Sequence, residues 1–224
     1  MIQAVIFDLD GTLLDRDRSL LHFVEEQYDR IIKPKFAVDK ESYISRFIEL
    51  DSRGYVWKDR VYQSLIREFE LPLDWNMLLD DYKAGFSAHA APFSHAIALL
   101  GSLVSKGYKL AMITNGFGDF QAGNIQALGI ANYFDDILIS EVEGLRKPDP
   151  AIFLRAADKL GVKPAECVYV GDHPINDVFA SKAVGMKGIW KEDSYYTDSF
   201  EYDAKVRDLR EIELILERWR IIGE

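Results

Sequence analysis

Two aspartates, Asp8 and Asp10, stand one residue apart directly after a run of apolar residues, AVIF at positions 4–7. Such a run is typical of a strand buried on both faces of a parallel sheet. Gly11 follows and allows the backbone to turn sharply. Two carboxylates this close repel each other, and a nearby cation relieves that repulsion. The stretch predicts a strand that delivers two acids to a sheet edge; taken alone, it also fits a polar turn.

Polar side chains also follow later apolar runs, at the points where predicted strands end. They carry hydroxyl, amide, ammonium and carboxylate groups: Thr114, Asn115, Lys147, Asp172 and Asp177. Because the carboxyl ends of parallel strands meet at one edge of a sheet, we expect these side chains to converge with the first two acids. Carboxylates suit Mg²⁺, which prefers oxygen ligands. A hydroxyl and an ammonium suit the oxygens of a phosphate group.

The elements that must position these residues alternate between helix and strand from Pro92 onward. Segments of this kind predict parallel βαβ units, a Rossmann-like α/β sheet with helices on both faces. Pro150 stands where proline favours the first turn of a helix. The pattern predicts strands over 109–114, 136–140, 167–171 and 187–190, and helices over 93–106, 120–128, 150–160, 175–184 and 208–220.

The block from about residue 16 to residue 89 shows a different, helical periodicity and no clear strand. Apolar residues recur at helical spacing in it, for example Leu20, Val24 and Tyr28. We therefore predict a catalytic core of residues 1–15 and 90–224 with an all-helical insertion, 16–89, after the first strand. Such an insertion is expected to cover the acids as a lid, or else only to enlarge the core.

Composition excludes several classes of function. The chain has 224 residues and a formal charge of −10, which disfavours nucleic-acid binding and adhesion to anionic membranes. Its single cysteine, Cys167, allows no intrachain disulfide and is expected in the core. The first apolar run is short and ends in acids, so no signal peptide is predicted, and no run is long enough to span a bilayer. We expect a cytoplasmic protein.

Four segments together resemble the haloacid dehalogenase superfamily of phosphohydrolases. They are a strand followed by Asp-x-Asp-Gly-Thr, then Thr-Asn-Gly, Lys-Pro-Asp-Pro and Gly-Asp-x-x-x-x-Asp, here starting at Asp8, Thr114, Lys147 and Gly171. The helical insertion is similar in position to the cap of that family's subfamily I. The resemblance implies a Mg²⁺-dependent enzyme that cleaves a small-molecule phosphomonoester, such as a nucleotide or sugar phosphate, through an aspartyl-phosphate.

The resemblance also implies roles for individual residues. Asp8 is expected to be the nucleophile and Asp10 the general acid and base. Thr114, Lys147 and backbone N–H groups near Asn115 are expected to hold the phosphoryl group. The Mg²⁺ ligands are expected to be Asp8, the Asp10 carbonyl and Asp172, with Asp177 binding directly or through water. An ionised carboxylate that attacks an anionic phosphate needs the positive charge that Mg²⁺ and Lys147 supply.

Other functions remain open at this point. The same fold serves sugar-phosphate mutases and haloacid dehalogenases, although the dehalogenases do not need an acid at the position of Asp10. A non-enzymatic phosphoaspartate switch is a further alternative, since such a switch shares Asp, Thr and Lys at strand ends. In the insertion, a cationic and aromatic group could contact the substrate or be an ordinary surface: Arg53, Tyr55, Trp57 and Arg60. The sequence does not distinguish a monomer from a homodimer.

Overall fold

The computed structural model describes residues 1–197 and 199–222 and divides the chain into two compact units. The first unit combines residues 1–15 with residues 92–224, and the second contains residues 16–91. Asp198 and residues 223–224, which the predicted core included, lie outside the described residues. The boundaries of both units therefore fall next to the first acidic motif and next to Pro92.

The first unit is built on a six-stranded sheet in the order β3-β2-β1-β4-β5-β6, with every neighbouring pair parallel. The strands are β1 Ala4–Phe7, β2 Lys109–Thr114, β3 Asp136–Ile139, β4 Cys167–Gly171, β5 Lys187–Lys191 and β6 Ala204–Val206. This order reverses direction between β1 and β4, and such a reversal is where open α/β sheets bind ligands.

Strand β1 lies in the middle of the sheet because its four side chains are all fully buried. It pairs with β2 and β4 in register, so that Phe7 lies opposite both Met112 and Val170. Burying each such apolar side chain contributes about 1.5–3 kcal/mol. The register brings the ends of the three strands to the same level, and the motifs that follow them start side by side.

Helices cover both faces of this sheet. They are α5 Ala96–Ser105, α6 Gly118–Ala127, α7 Ser140–Glu143, α8 Pro150–Leu160, α9 Ala180–Ala183 and α10 Glu211–Ile222. On one face α8 packs against Ile6, Ala111 and Leu138, and the buried Cys167 belongs to the same cluster. Ion pairs from Lys106 to Glu213 and Glu217 hold α5 beside α10, and α5 packs against β2. The predicted Rossmann-like α/β class is confirmed.

The second unit, residues 16–91, is described completely and contains helices but no strand. Its helices are α1 Arg16–Gln27, α2 Lys40–Asp51, α3 Lys58–Glu68 and α4 Trp75–Gly85. Asp39 and Asp74 accept backbone N–H groups at the starts of α2 and α4, as good N-cap residues do. Aromatic side chains fill the interior, among them Phe23, Phe47 and Tyr62.

Several elements of the first unit differ from the prediction. Helix α5 starts at Ala96, not at residue 93, because His95 before it has a φ of 68°, a left-handed conformation that interrupts a right-handed helix. Helix α10 starts at Glu211, not at 208. Strand β6 was not predicted, since three residues give too little alternation to recognise.

The predicted helix 175–184 exists, but residues 174–179 are wound as a π-helix before α9 begins. The Val178 N–H bonds to the His173 carbonyl five residues earlier. Such wide turns are rare and frequently mark functional sites. Here the wide turn carries Asp177, the last acid of the fourth motif.

Candidate active site

Asp8 is the first residue after β1, and its N–H bonds to the Val170 carbonyl of β4 at 2.9 Å. Its carboxylate is buried, with 5% of the residue exposed. Oδ1 accepts a hydrogen bond from Lys147 Nζ at 2.6 Å. Oδ2 is buried and has no hydrogen-bond partner among the described residues. A buried charged oxygen left this way is costly, so it calls for a ligand such as a cation.

Gly11 lets the chain turn away from Asp8 while Asp172 approaches. Its φ of +85° is a conformation that favours glycine. A Cβ at this position would lie 2.5 Å from Asp172 Oδ2, so any side chain would collide with that carboxylate. Asp172 follows β4 and is partly buried, and the Trp190 indole donates to its carbonyl at 2.8 Å. The glycine of the first motif therefore makes room for the acid of the fourth.

Lys147 reaches the same place from the loop before α8 and is itself buried. Its ammonium donates to Asp8 Oδ1 and Asp177 Oδ1, each at 2.6 Å, and to the Tyr169 hydroxyl at 2.9 Å. Its backbone is held by Asn115, whose side-chain Oδ1 accepts the Lys147 N–H while Nδ2 donates to the Lys147 carbonyl. The Asn115 side chain therefore positions Lys147, a contact that was not predicted from the sequence.

Asp177 is buried and has both carboxylate oxygens occupied. Oδ1 accepts from Lys147, and Oδ2 accepts the His173 N–H at 3.0 Å. This arrangement suits a residue that holds Lys147 and the fourth motif in place beside the other acids.

The electrostatics of the group follow from three carboxylates around one ammonium. Burial raises the pKa of Asp8 to about 7, and Asp177 and Asp10 act in the same direction while Lys147 opposes them. Burial, followed by the charges of Asp8 and Asp177, also raises the pKa of Asp172 well above its ordinary value. Burial opposes protonation of Lys147, but Asp177 and Asp8 hold its pKa well above the ordinary value. Lys147 therefore stays charged, whereas burial and mutual repulsion favour the protonated forms of Asp8 and Asp172.

The same three acids, Asp8, Asp172 and Asp177, offer oxygen atoms that all lie within 4.8 Å of one another. Together with the partnerless Oδ2 of Asp8, this set fits a hard divalent cation. A cation would lower the cost of keeping these carboxylates ionised. The residues present therefore fit the Mg²⁺ that the sequence led us to expect.

Asp10 and Thr114 share a hydrogen-bond partner that was not predicted from the sequence, Gln121. Its Nε2 is 2.6 Å from Asp10 Oδ2 and 2.7 Å from Thr114 Oγ1. Gln121 lies in the first turn of α6, seven residues after Thr114. A glutamine in a helix is ordinarily exposed, so its identity alone gave no signal.

Lys191, at the end of β5, is a second buried polar side chain that was not predicted from the sequence. Its ammonium lies 3.5 Å from the centre of the Phe93 ring. Burial lowers the pKa of Lys191, although nearby acids such as Asp172 and Asp193 act against this change.

The residues proposed to contact substrate in the helical insertion belong to the second unit. Trp57 packs edge-on against Tyr82 at 6.5 Å between ring centres, whereas the Tyr55 side chain is exposed. Arg60 is also largely exposed.

Comparison with known proteins gives a family. The model of the haloacid dehalogenase-like hydrolases matches residues 5–191. A glyceraldehyde 3-phosphate phosphatase from Pyrococcus abyssi is 30% identical over 85% of this chain and 81% of its own. Among solved structures, a HAD phosphatase from Thermococcus onnurineus is 28% identical with a TM-score of 0.69, covering 96% of this chain and 98% of its own. A 2-haloacid dehalogenase from Pseudomonas syringae is also 28% identical, with a TM-score of 0.63 over 98% of this chain and all of its own.

Proposed function

Because this chain belongs to the family of haloacid dehalogenase-like hydrolases, we propose that it hydrolyses a small-molecule phosphomonoester through a phosphoaspartate on Asp8. The predicted class of activity, a hydrolase of phosphoric monoesters, is confirmed by its phosphatase relatives. One observation carries the proposed chemistry: a buried Asp8 carboxylate bonds to Lys147 through one oxygen and has a partnerless second oxygen beside Asp172.

In the first step, an oxygen of Asp8 attacks phosphorus as the bond from phosphorus to the ester oxygen breaks. Asp10 gives its proton to the leaving oxygen, so that an alcohol departs. Lys147 offsets the repulsion between the carboxylate and the phosphate, and Thr114 donates to a phosphoryl oxygen. The product of the step is a phosphoaspartate, as in other covalent catalysis.

In the second step, Asp10 takes a proton from water, whose oxygen attacks the same phosphorus. The bond between phosphorus and Asp8 breaks, which releases inorganic phosphate and restores the carboxylate. Asp10 is then protonated again and ready for another ester. The proton that leaves in the first step thus returns in the second.

Asp8, Asp172 and the Asp10 carbonyl would hold Mg²⁺, with Asp177 supporting the site directly or through water. When bound, the ion supplies positive charge that favours the ionised carboxylates and the developing charge on the phosphoryl group. The supporting observations are the spacing of the acids and the orphaned oxygen of Asp8.

The substrate is proposed to be a small phosphorylated metabolite. The relative named for glyceraldehyde 3-phosphate makes a three-carbon phosphate the first compound to test, followed by nucleotides and sugar phosphates. We propose that the helical unit, residues 16–91, acts as the cap, with Arg53 and Tyr55 candidates for contact with the part of the substrate that leaves.

We propose that the chain binds neither nucleic acid nor anionic membranes, since its formal charge is −10. We also propose that it is cytoplasmic. Within residues 1–197 and 199–222, no helix combines the length and apolar character needed to cross a membrane.

Dehalogenation is the alternative that a solved relative favours. Asp10 argues for phosphoryl transfer, since the leaving alkoxide of an ester needs a proton and a halide does not. A mutase and a phosphoaspartate switch are distinguished from a hydrolase by the lifetime of the phosphoaspartate.

The test compares wild type with Asp8→Asn on p-nitrophenyl phosphate, with Mg²⁺ or with chelator, and on 2-chloropropionate. We expect Mg²⁺-dependent release of phosphate from wild type, none from the variant, and no release of chloride. Chloride release without phosphatase activity would establish a dehalogenase instead. A phosphoaspartate on Asp8 that persists without turnover would favour the mutase or the switch.

A further inference from the structure

We infer that Gln121 is a positioning residue that fixes Asp10 and Thr114 in the orientation needed for phosphoryl transfer. This inference rests on the proposed function, because it assigns Gln121 a part in the same reaction. Gln121 belongs to none of the four motifs that identify the site. It is nevertheless the one side chain that bonds to both residues among the described hydrogen bonds.

Gln121 is a buried polar side chain. Only 2% of the residue is exposed, and Asn124 on the next turn is fully buried. Ordering and burying a glutamine costs conformational entropy and desolvation, so the cost must be offset by hydrogen bonds. The bonds that do so lead to the proposed acid at 2.6 Å and to the proposed phosphate-binding hydroxyl at 2.7 Å.

The NH₂ end of the Gln121 amide faces Asp10. The carboxylate of Asp10 only accepts hydrogen bonds when it is ionised, so the NH₂ end of Gln121 must face it. The carbonyl end is fixed from behind by Asn124 Nδ2, which donates to Gln121 Oε1 at 3.1 Å. Both ends of the amide are therefore determined by their partners, and Gln121 cannot rotate without losing bonds at both ends.

Gln121 also determines which hydrogen-bonding role remains to the Thr114 hydroxyl. Its hydroxyl accepts a hydrogen bond from Gln121, and a hydroxyl that accepts in this way keeps its own hydrogen for another partner. Gln121 therefore leaves Thr114 as a donor, which is the role that binding a phosphoryl oxygen requires. The same amide group thus orients an acceptor, Asp10, and a donor, Thr114.

The position of Gln121 also explains why residue 116, the last of the Thr-Asn-Gly motif, is a glycine. A Cβ at this position would lie 2.7 Å from Gln121 Cγ and 3.0 Å from its Cδ. The missing side chain is therefore the space through which Gln121 reaches Asp10. The glycine of a recognisable motif is in this way required by a residue outside the motif.

The consequence can be measured through the leaving group. A poor leaving group needs a well-placed proton from Asp10, whereas a good leaving group departs with less help. Phenyl phosphate and p-nitrophenyl phosphate have similar shapes but leaving groups of different basicity. Loss of Gln121 should therefore slow the phenyl ester more, whereas a general loss of structure should slow both equally.

The experiment compares wild type with Gln121→Met, which keeps the length of the side chain but removes its donors. We expect kcat to fall about 100-fold on phenyl phosphate and about 10-fold on p-nitrophenyl phosphate, because a catalytic group that is out of position loses much of its contribution. KM should change less than about threefold, since the phosphate contacts of Lys147 remain. Gln126→Met is the matched control, because Gln126 lies exposed on the same helix, and its kcat should equal that of wild type.

An equal loss on both esters would overturn the inference and leave Gln121 a structural residue. If Gln121→Met does not fold, as judged by circular dichroism, Asn124→Leu releases the amide from behind and should give the same unequal loss at smaller size. An equal loss in that variant would also overturn the inference. Wild type that is inactive with Mg²⁺ on both esters, on a three-carbon phosphate, on nucleotides and on sugar phosphates would overturn the proposed function itself, and this outcome is distinct because it appears before any variant is made.

Discussion

Two groups of buried charged side chains among the described residues differ in their numbers of acids and cations. In the first unit, Asp8 and Asp177 bond to the ammonium of Lys147, and an oxygen of Asp172 lies within 4.8 Å of oxygens of both acids. We call this group the carboxylate cluster. In the second unit, one buried carboxylate, Asp51, is surrounded by donors.

The donors around Asp51 satisfy both of its oxygens. Arg16 lies 2.8 and 3.1 Å from the two oxygens, the Gly54 N–H donates to Oδ2 at 2.8 Å, and the buried Lys58 ammonium bonds to Oδ1. We call this group the Asp51 cluster. Burial opposes ionisation, but Arg16 and Lys58 lower the pKa of Asp51 below its ordinary value. Asp8 shifts in the opposite direction, to about 7.

The Asp51 cluster also supports an unusual backbone. Ser52, Arg53 and Gly54 all have positive φ, at 47°, 57° and 86°. A left-handed conformation costs an ordinary residue roughly 1–2 kcal/mol, so the loop persists because Asp51 holds it from below. The comparison teaches that a buried carboxylate whose oxygens are all paired with donors supports structure, whereas buried carboxylates that outnumber their cations indicate a place for a ligand.

The largest expected effect separates the two clusters by activity. Asp8→Asn should lower kcat/KM on p-nitrophenyl phosphate by more than about 1000-fold, because the nucleophile is lost. Its unfolding free energy in chelator should not fall, since Lys147 keeps Asp177 and one repelling charge is gone. Activity is measured by phosphate release and stability by urea denaturation. A variant that loses stability along with activity would contradict the comparison.

Asp51→Asn should have the opposite result. Two cations, the buried Lys58 and the partly buried Arg16, would lose their partner, and breaking a buried ion pair costs about 3–5 kcal/mol. Urea denaturation measures this loss of unfolding free energy. The folded fraction should retain the hydrolysis of p-nitrophenyl phosphate within about threefold, because the carboxylate cluster is intact. Asp59→Asn, at an acid far more exposed than Asp51, is a suitable control for the change of residue type.

Magnesium should stabilise the carboxylate cluster and not the Asp51 cluster. A ligand that binds the folded state at 100 times its Kd adds about 2.7 kcal/mol to the unfolding free energy. We expect Mg²⁺ to raise the Tm of wild type and of a mildly destabilised control variant, and to leave the Tm of Asp172→Asn unchanged. Differential scanning fluorimetry with Mg²⁺ and with chelator gives both values. An equal rise in Asp172→Asn would place the ion elsewhere.

The two clusters should also respond to pH with opposite signs. In chelator, the pKa of Asp8 is about 7 in the folded state and 3.8 for the ordinary group, so between these values the folded state binds more protons. The unfolding free energy should therefore fall as pH rises from about 4 to about 7, and Asp8→Asn should flatten that slope. A slope identical in wild type and variant would show that Asp8 does not cause it.

For Asp51, whose pKa is lowered in the folded state, the stabilisation is present above the pKa of the unfolded chain and is lost as pH falls through the folded value. The difference in unfolding free energy between wild type and Asp51→Asn should therefore shrink below about pH 4. Urea denaturation at a series of pH values measures it. This is the smallest of the expected effects, since the protein has other acids that titrate in the same range.

The sequence by itself determined the α/β class, the family and the positions along the chain of the strands that carry the motifs. It could do so because buried strands leave continuous apolar runs, and because chemistry at strand ends leaves Asp8, Thr114, Lys147 and Asp172 directly after those runs. The roles given to these residues and the division into core and cap stay predictions. Short or irregular elements escaped, such as β6 and the π-helical turn at 174–179, since neither has a periodic pattern of its own.

Only the tertiary structure decided which polar side chains are buried and what they bond to. Gln121 and Tyr169 have no special spacing in the sequence, and each becomes part of the site through contacts between distant segments. The same is true of the charge balance that separates Asp8 from Asp51. Burial and hydrogen bonding depend on neighbours that the fold supplies, so an aspartate at a strand end and an aspartate at the end of a helix differ only once their surroundings are known.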